Sequence, residues 1–158
     1  MRVLLQRVLR ARCTVGGEVT GAIERGLVAL VGVSRHDGPD DAPWLADKVA
    51  HLRVFADDAG KMNRDVREAG GAVLAVPQFT LYGDARHGRR PEFTLAARPE
   101  DAEPLFERFC GLLALRGVTV ARGRFREHME IELVNDGPVT LMLEAPPARA
   151  PAREEAEA

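Results

Sequence analysis

The sequence predicts an α+β fold in which strands dominate and two main helices accompany them. Three observations lead there. Short apolar runs bounded by Gly, Pro and Asp recur along the chain. Two stretches carry apolar residues at helical spacing, 45–52 and 102–113. Late in the chain, Met129, Ile131 and Leu133 alternate with Glu130 and Glu132, the pattern of a half-exposed strand.

Taken in order, residues 2–15 read as a long strand with a basic edge, turning at Gly16-Gly17 into a hairpin. The run 27–33, bounded by Gly26 and by Asp37-Gly38-Pro39, suits a strand buried on both faces. Asp40 and Asp41 before Pro43 mark a helix start, and Leu45, Val49 and Leu52 line one face of that helix. Residues 56–71 are polar and Gly-rich, a loop carrying at most one short helix. Residues 72–76 form another buried strand that runs directly into Pro77-Gln78-Phe79-Thr80-Leu81. The stretch 82–98 lacks periodicity and is long for a plain connection, as functional loops often are.

The second helix is the clearest element. Pro99 opens it, and Glu100, Asp101 and Glu103 place negative charge where the helix dipole favours it. Ala102, Leu105, Phe106, Phe109, Leu112 and Leu113 form its buried stripe, and Gly117 ends it. Strands are expected at roughly 118–124, 129–135 and 139–145. One domain therefore spans 1–145. The Pro/Ala/Glu-rich segment 146–158 has nothing to bury and is expected to be disordered.

Composition mainly excludes. The chain has 158 residues, 46% of them hydrophobic, so it can build a real core. A net charge of −2 rules out a strongly basic nucleic-acid clamp and leaves room for a local basic patch. Cys13 and Cys110 lie far apart, form no CxxC and read as half-buried structural thiols in a reducing cytosol. Arginines interrupt the N-terminal MRVLLQRVLRAR, and no uncharged apolar run approaches 18 residues. A cytoplasmic protein without a membrane partner is expected. Ser34 is the only serine, and its context GVSRH is no nucleophile elbow. His36, His51, His87 and His128 are scattered without metal-ligand spacing, and no Gly-rich phosphate loop follows a strand. Neither a metal nor a cofactor is expected.

Two strings remain, VPQFTL at 76–81 and VNDGPVT at 134–140. On their residues alone, structural readings are favoured. Asp136-Gly137 between alternating strands makes a good hairpin turn that Pro138 stiffens, and PQFTL reads as a strand end with Pro77 at a sheet edge.

The pair resembles the signature motifs SQFTL and NxGPVT of the D-aminoacyl-tRNA deacylase family. LLQRV near the N-terminus, LVGV after the second turn, GKMN at 60–63 and GRRPEF at 88–93 resemble further family segments, in the expected order, over about residues 1–145. The resemblance implies a compact, barrel-like, β-rich α+β domain working as a homodimer, with active sites at the subunit interface. It implies hydrolysis of the ester of D-aminoacyl-tRNA, with glycyl-tRNA mischarged on tRNA(Ala) as a further substrate and the L form rejected. The partner is the aminoacylated 3′ end of tRNA, and no DNA partner is expected.

Residue by residue, Gly137-Pro138 would be a cis pair whose carbonyls enter the partner's pocket, accept the D-aminoacyl ammonium and leave no room for an L side chain. Gln78, Phe79 and Thr80 would form the catalytic wall. Backbone N–H groups around Phe79 and Thr80 would stabilise the oxyanion, with Thr80 positioning rather than attacking. Gln78 would orient the loop or the terminal adenosine, and the ribose 2′-hydroxyl would help activate water. Arg7 would support the inserted dipeptide across the interface; Pro77, Phe125, Met129 and Asn135 complete the supporting pocket.

Arg86, Arg89 and Arg90, beside His87, form one basic cluster for tRNA. Arg122, Arg124 and Arg126 form another, as alternate arginines on one strand face. Two departures stand out. Pro77 replaces the family serine, as in an animal branch that carries PQATL and has relaxed chiral discrimination; the retained Phe79 places this chain with the main branch. Arg126-Glu127 replaces small residues at the pocket rim. A non-catalytic RNA-binding dimeric module on the same fold is the alternative from another class. A different ester or amide hydrolase is a third, and the intact NDGPVT argues against a decayed site.

Overall fold

The computed structural model describes residues 1–146. In chain order the elements are β1 (Arg2–Val15), β2 (Glu18–Ile23), β3 (Gly26–Gly32), α1 (Asp41–His51), β4 (Phe55–Ala56), β5 (Met62–Arg64), β6 (Ala72–Pro77), a 3-10 turn (Phe79–Tyr82), α2 (Pro99–Leu115), β7 (Thr119–Arg122) and β8 (Glu130–Glu144). The main sheet runs β2-β1-β3-β6-β7, with β8 also paired to β1. It curls until β2 meets β7: a Cβ on Gly21 would lie 2.8 Å from the Arg122 carbonyl oxygen. The result is the nearly closed, barrel-like α+β architecture expected.

Why these residues form these elements follows from where each face goes. β3 pairs antiparallel with β1 and parallel with β6, and β6 pairs parallel with β7. Parallel strands buried on both faces need continuous apolar runs, and that is what β3 and β6 carry. On one face, Val3, Leu5, Leu27, Ala29, Val31, Val73 and Ala75 meet the two helices through Leu45, Val49, Phe106, Phe109 and Leu113. On the other face, Val8, Ala11, Cys13, Val28, Leu74 and Val76 form a second core inside the curl. Phe106 and Phe109 are almost fully buried, so truncating either to Ala costs about 3–5 kcal/mol.

The Gly16-Gly17 hairpin forms as read, with both glycines at positive φ as a tight turn between twisted strands requires. Both cysteines are free and fully buried rather than half-buried, and burial pushes the Cys110 thiol up to about 12. No helix among the described residues is long and apolar enough to cross a membrane.

Four expectations need correction. Residues 56–71 hold no helix; β4 and β5 pair there as a small antiparallel hairpin. The Asp57 carboxylate closes its turn, accepting from the N–H groups of Ala59 and Lys61 and from the Asn63 amide. The strand expected at 118–124 stops at Arg122. The strands expected at 129–135 and 139–145 belong to one element, β8, which pairs antiparallel with β1 at residues 130–135 and again at 140–144. Asp136-Gly137 is therefore not a hairpin turn. The tail expectation for 146–158 falls outside the described residues beyond Pro146.

Candidate functional site

Two features carry the signature residues, and they lie on different parts of the chain. The first is an open cleft of about 730 Å³. Its floor is apolar, with Val31, Val76 and Ile131; Pro77, Gln78 and Phe79 form one wall, and Phe125 and Met129 another. Pro77 is tolerated there because β7 has already ended. The Gly123 N–H closes the ladder on the Ala75 carbonyl, and the Gln78 N–H turns back to the Val31 carbonyl at 2.8 Å.

The chain then enters the 3-10 turn. Gly32 makes this possible by close approach, since a Cβ there would lie 3.0 Å from the Leu81 Cβ and 3.2 Å from the Gln78 carbonyl oxygen. Arg2 fixes the far end, donating to the Leu81 carbonyl at 3.0 Å and stacking over the buried Tyr82 ring at 4.5 Å. Burial raises the Tyr82 hydroxyl well above its ordinary range. At the near end, Leu81 N–H donates to Gln78 and Gly83 N–H to Thr80, while no backbone acceptor among the described residues takes the Phe79 or Thr80 N–H. The start of a helical turn leaves its first donors unused. These two donors stand beside the cleft, next to the Thr80 hydroxyl, which accepts from the Gln78 side-chain amide. Phe79 is 57% exposed for so large an apolar ring, and it packs edge-on against Phe93 at 5.1 Å.

The second feature interrupts β8. Gln6 faces Thr140 and Val8 faces Asn135, so residues 136–139 stand opposite Arg7 alone. Residues 136–138 leave the ladder as a loop. Asn135 closes its neck, donating from Nδ2 to the Arg7 carbonyl at 2.9 Å and to the Val139 carbonyl at 3.0 Å. The Thr140 hydroxyl donates to Asn135 Oδ1 at 3.2 Å. Arg7 is the floor: its Nη1 donates to the Val54 carbonyl at 2.6 Å, and its Nε reaches the Asp136 carbonyl and carboxylate, each at 3.2 Å. Gly137 sits at φ +122, where a side chain is strained, and a Cβ there would lie 2.9 Å from Arg7 Nη2. The Gly137–Pro138 bond is cis, and both residues are exposed.

The structure thus gathers Pro77, Gln78, Phe79, Phe125 and Met129 at one cleft with Thr80 beside it. Arg7, Asn135, Gly137 and Pro138 are gathered at a separate loop that does not line that cleft. Arg7 meets the loop of its own chain. Of the basic cluster at 86–90, Arg86 is clamped by Asp84 in the same loop, a contact that also holds the Asp84 carboxyl down to about 2. Arg89 and Arg90 are exposed, with no acidic partner among the described residues.

The alternating arginines do not share a strand face. β7 ends at Arg122, and Arg122, Arg124 and Arg126 pair with Glu107, Glu18 and Glu100 respectively. Phe93, Ala96, Ala97 and His128 line the cleft without having been singled out, although the aperiodic stretch 82–98 that supplies three of them was.

Comparison with known proteins bears on the same residues. The sequence model of the family described as D-Tyr-tRNA(Tyr) deacylase matches residues 4–144. A protein named D-aminoacyl-tRNA deacylase from Symbiobacterium thermophilum is 62% identical over 145 residues, covering 92% of this chain and 96% of that protein. One of the same name from Desulforudis audaxviator is 58% identical over 145 residues, covering 92% and 97%. Among solved structures, one described as c-Myc DNA Unwinding Element Binding Protein superposes with a TM-score of 0.86 at 37% identity, covering 93% of this chain and all of that one.

Proposed function

Because the chain belongs to the D-Tyr-tRNA(Tyr) deacylase family, we propose that it hydrolyses the ester of D-aminoacyl-tRNA, releasing tRNA and the free D-amino acid. The observation that carries the mechanism is the separation of the two signature features. The Gly137-Pro138 loop is exposed, braced by Arg7 and Asn135, and does not line its own cleft. In a homodimer the loop of one copy would fill the partner's cleft, completing a site that one chain leaves open.

In that site the inserted loop offers backbone carbonyls to the substrate's ammonium. Held on a fixed floor, they admit a D-aminoacyl group and leave no space for the side chain of its mirror image. Glycyl-tRNA, such as glycine mischarged on tRNA(Ala), has no side chain to exclude and is accepted. Pro77 stands at the wall opposite, and substitution there tunes how strictly the mirror image is refused.

Chemistry occurs at the 3-10 turn. Water attacks the ester carbonyl carbon, and the developing oxyanion lies against the unused N–H groups of Phe79 and Thr80. Such donors are each worth about 10²–10³ in rate. The bond to the ribose 3′-oxygen breaks, and the proton lost by water ends on that oxygen, relayed by the neighbouring 2′-hydroxyl. Gln78 and Thr80 hold the turn and the terminal adenosine, while Phe125 and Met129 line the rest of the pocket. Arg86, Arg89 and Arg90 contact the RNA backbone.

The test is to incubate the purified protein with D-tyrosyl-, L-tyrosyl- and glycyl-tRNA and follow ester loss. Rapid loss of the D and glycyl forms with the L form spared is expected, from a protein that sediments as a dimer. Equal inertness towards all three overturns the reading.

A further inference from the structure

Arg126 is the one Lys or Arg among the residues lining the cleft. It is also the one non-glycine residue with positive φ among the described residues, at 62°. Left-handed backbone is uncommon for a side chain as long as arginine and costs on the order of 1 kcal/mol or more, so it persists where the surroundings impose it. Here it turns the chain between Phe125 and Met129, placing Arg126, Glu127 and His128 along the rim of an otherwise apolar cleft.

Among the described residues the guanidinium has one partner, Glu100 in the first turn of α2, at 3.4 Å, with the two side chains 61% and 60% exposed. So long and open a pair contributes little to the fold. Arg122 differs: it is more enclosed and engages Glu107 at close range. Arg124 has an equally long contact, to Glu18, and does not line the cleft.

We infer that Arg126 is a phosphate-binding residue for the RNA strand entering the cleft, and that Glu100 is a competing partner it gives up on binding. A phosphodiester offers two anionic oxygens to the planar donor fork, a better match than one long contact to a single carboxylate oxygen. This rests on the reading of the cleft as the seat of an aminoacylated 3′ end. It adds a contact that pays out only on RNA longer than the terminal nucleoside.

Exchange and tethering predict opposite signs at Glu100. A tether between α2 and the rim is weakened alike by R126A and by E100Q. A competitor is removed by E100Q, freeing the guanidinium.

The experiment measures affinity for a fluorescent RNA hairpin ending in single-stranded CCA, by anisotropy, across a salt series. R126A is expected to weaken binding about 3- to 5-fold, the size of one exposed charge contact. It should also flatten the plot of log affinity against log salt by about 0.7–0.9, one phosphate's worth. R126K keeps the charge but not the planar fork and should recover only part of the lost affinity, and E100Q should tighten binding about 2-fold. R126G removes the guanidinium and relaxes the left-handed backbone, so it should weaken binding while holding or raising Tm. Any result in which E100Q fails to tighten, or R126A or R126G binds as the unsubstituted protein does, overturns the exchange. Binding needs no turnover, so a protein that bound as described yet left D-aminoacyl esters intact would sink the deacylase reading and not this one.

Discussion

Replacing Asn135 should loosen the loop that carries Gly137 and Pro138 without touching either. Its side-chain amide donates to two carbonyls, that of Arg7 on β1 at 2.9 Å and that of Val139 across the loop's neck at 3.0 Å. Each such bond contributes about 1 kcal/mol net, so Asn135→Ala should destabilise the protein by about 2 kcal/mol. For a chain of this size that corresponds to a fall in Tm of about 4–8 °C. Asn135→Asp is the sharper control. It keeps the shape but turns an acceptor towards two carbonyl oxygens, and should cost about 1 kcal/mol more than alanine. Thermal unfolding by circular dichroism measures the first effect. Hydrolysis of D-tyrosyl-tRNA at 25 °C, well below the transition, measures the second, with kcat/KM falling at least about tenfold because the loop no longer holds its shape. A Tm within about 1 °C of the unsubstituted protein for Asn135→Ala would refute the reasoning, as would an aspartate milder than the alanine.

Gly137→Ala adds a methyl group at φ +122 and 2.9 Å from Arg7 Nη2. It should cost about 1–3 kcal/mol and remove most hydrolysis of the D ester; a variant with unchanged melting and turnover would argue that the loop moves freely. Thr80→Ser should keep nearly full activity and Thr80→Val should lose about tenfold in kcat, since the hydroxyl serves as acceptor for Gln78. A loss near 10⁴, or a burst of covalent intermediate, would instead make Thr80 the nucleophile. The Arg67 guanidinium, with the N–H groups of Glu68 and Arg67, holds the nearly buried Asp65 carboxyl down to about 2. A depressed pKa contributes stability that is complete above about pH 4 and disappears as pH falls towards 2. Asp65→Asn should therefore show a flatter Tm between pH 4 and pH 2, and parallel curves for the two proteins would contradict this.

What the sequence revealed depended on whether a residue's environment repeats. β3 and β6 were legible because burial on both faces demands uninterrupted apolar runs, and α2 because its stripe recurs over four turns. β4 and β5 escaped because strands of two and three residues have no period. The Asp136-Gly137 pair misled for a specific reason. Local chemistry there is that of a hairpin turn, whereas the chain resumes on the same side of β1 because Thr140 pairs with Gln6. Only long-range pairing distinguishes a bulged loop from a reversal. The alternating arginines misled similarly, since alternation continues past Arg122 while the ladder does not. At the candidate site, Gln78 to Thr80 and Gly137-Pro138 stood out by motif, and Arg7 and Asn135 by the same resemblance, which set Arg7 across a subunit interface where the structure has it bracing the loop of its own chain. The Val54 carbonyl beneath Arg7 and the Phe93 edge against Phe79 are tertiary contacts that no local pattern announces.

The neck at Asn135 also separates the parts of β8 that build the cores from the part that does not. β8 is in register with β1 on both sides of residues 136–138, and each half contributes to a different core: Ile131 and Leu133 inside the curl, Val139 and Leu143 towards the helices. None of residues 136–138 belongs to either core, so the sheet is held by the strand segments that flank them. The loop is a fitting on a fixed mount: a substitution within it meets Arg7 and its own backbone and leaves the packing of both cores as it is.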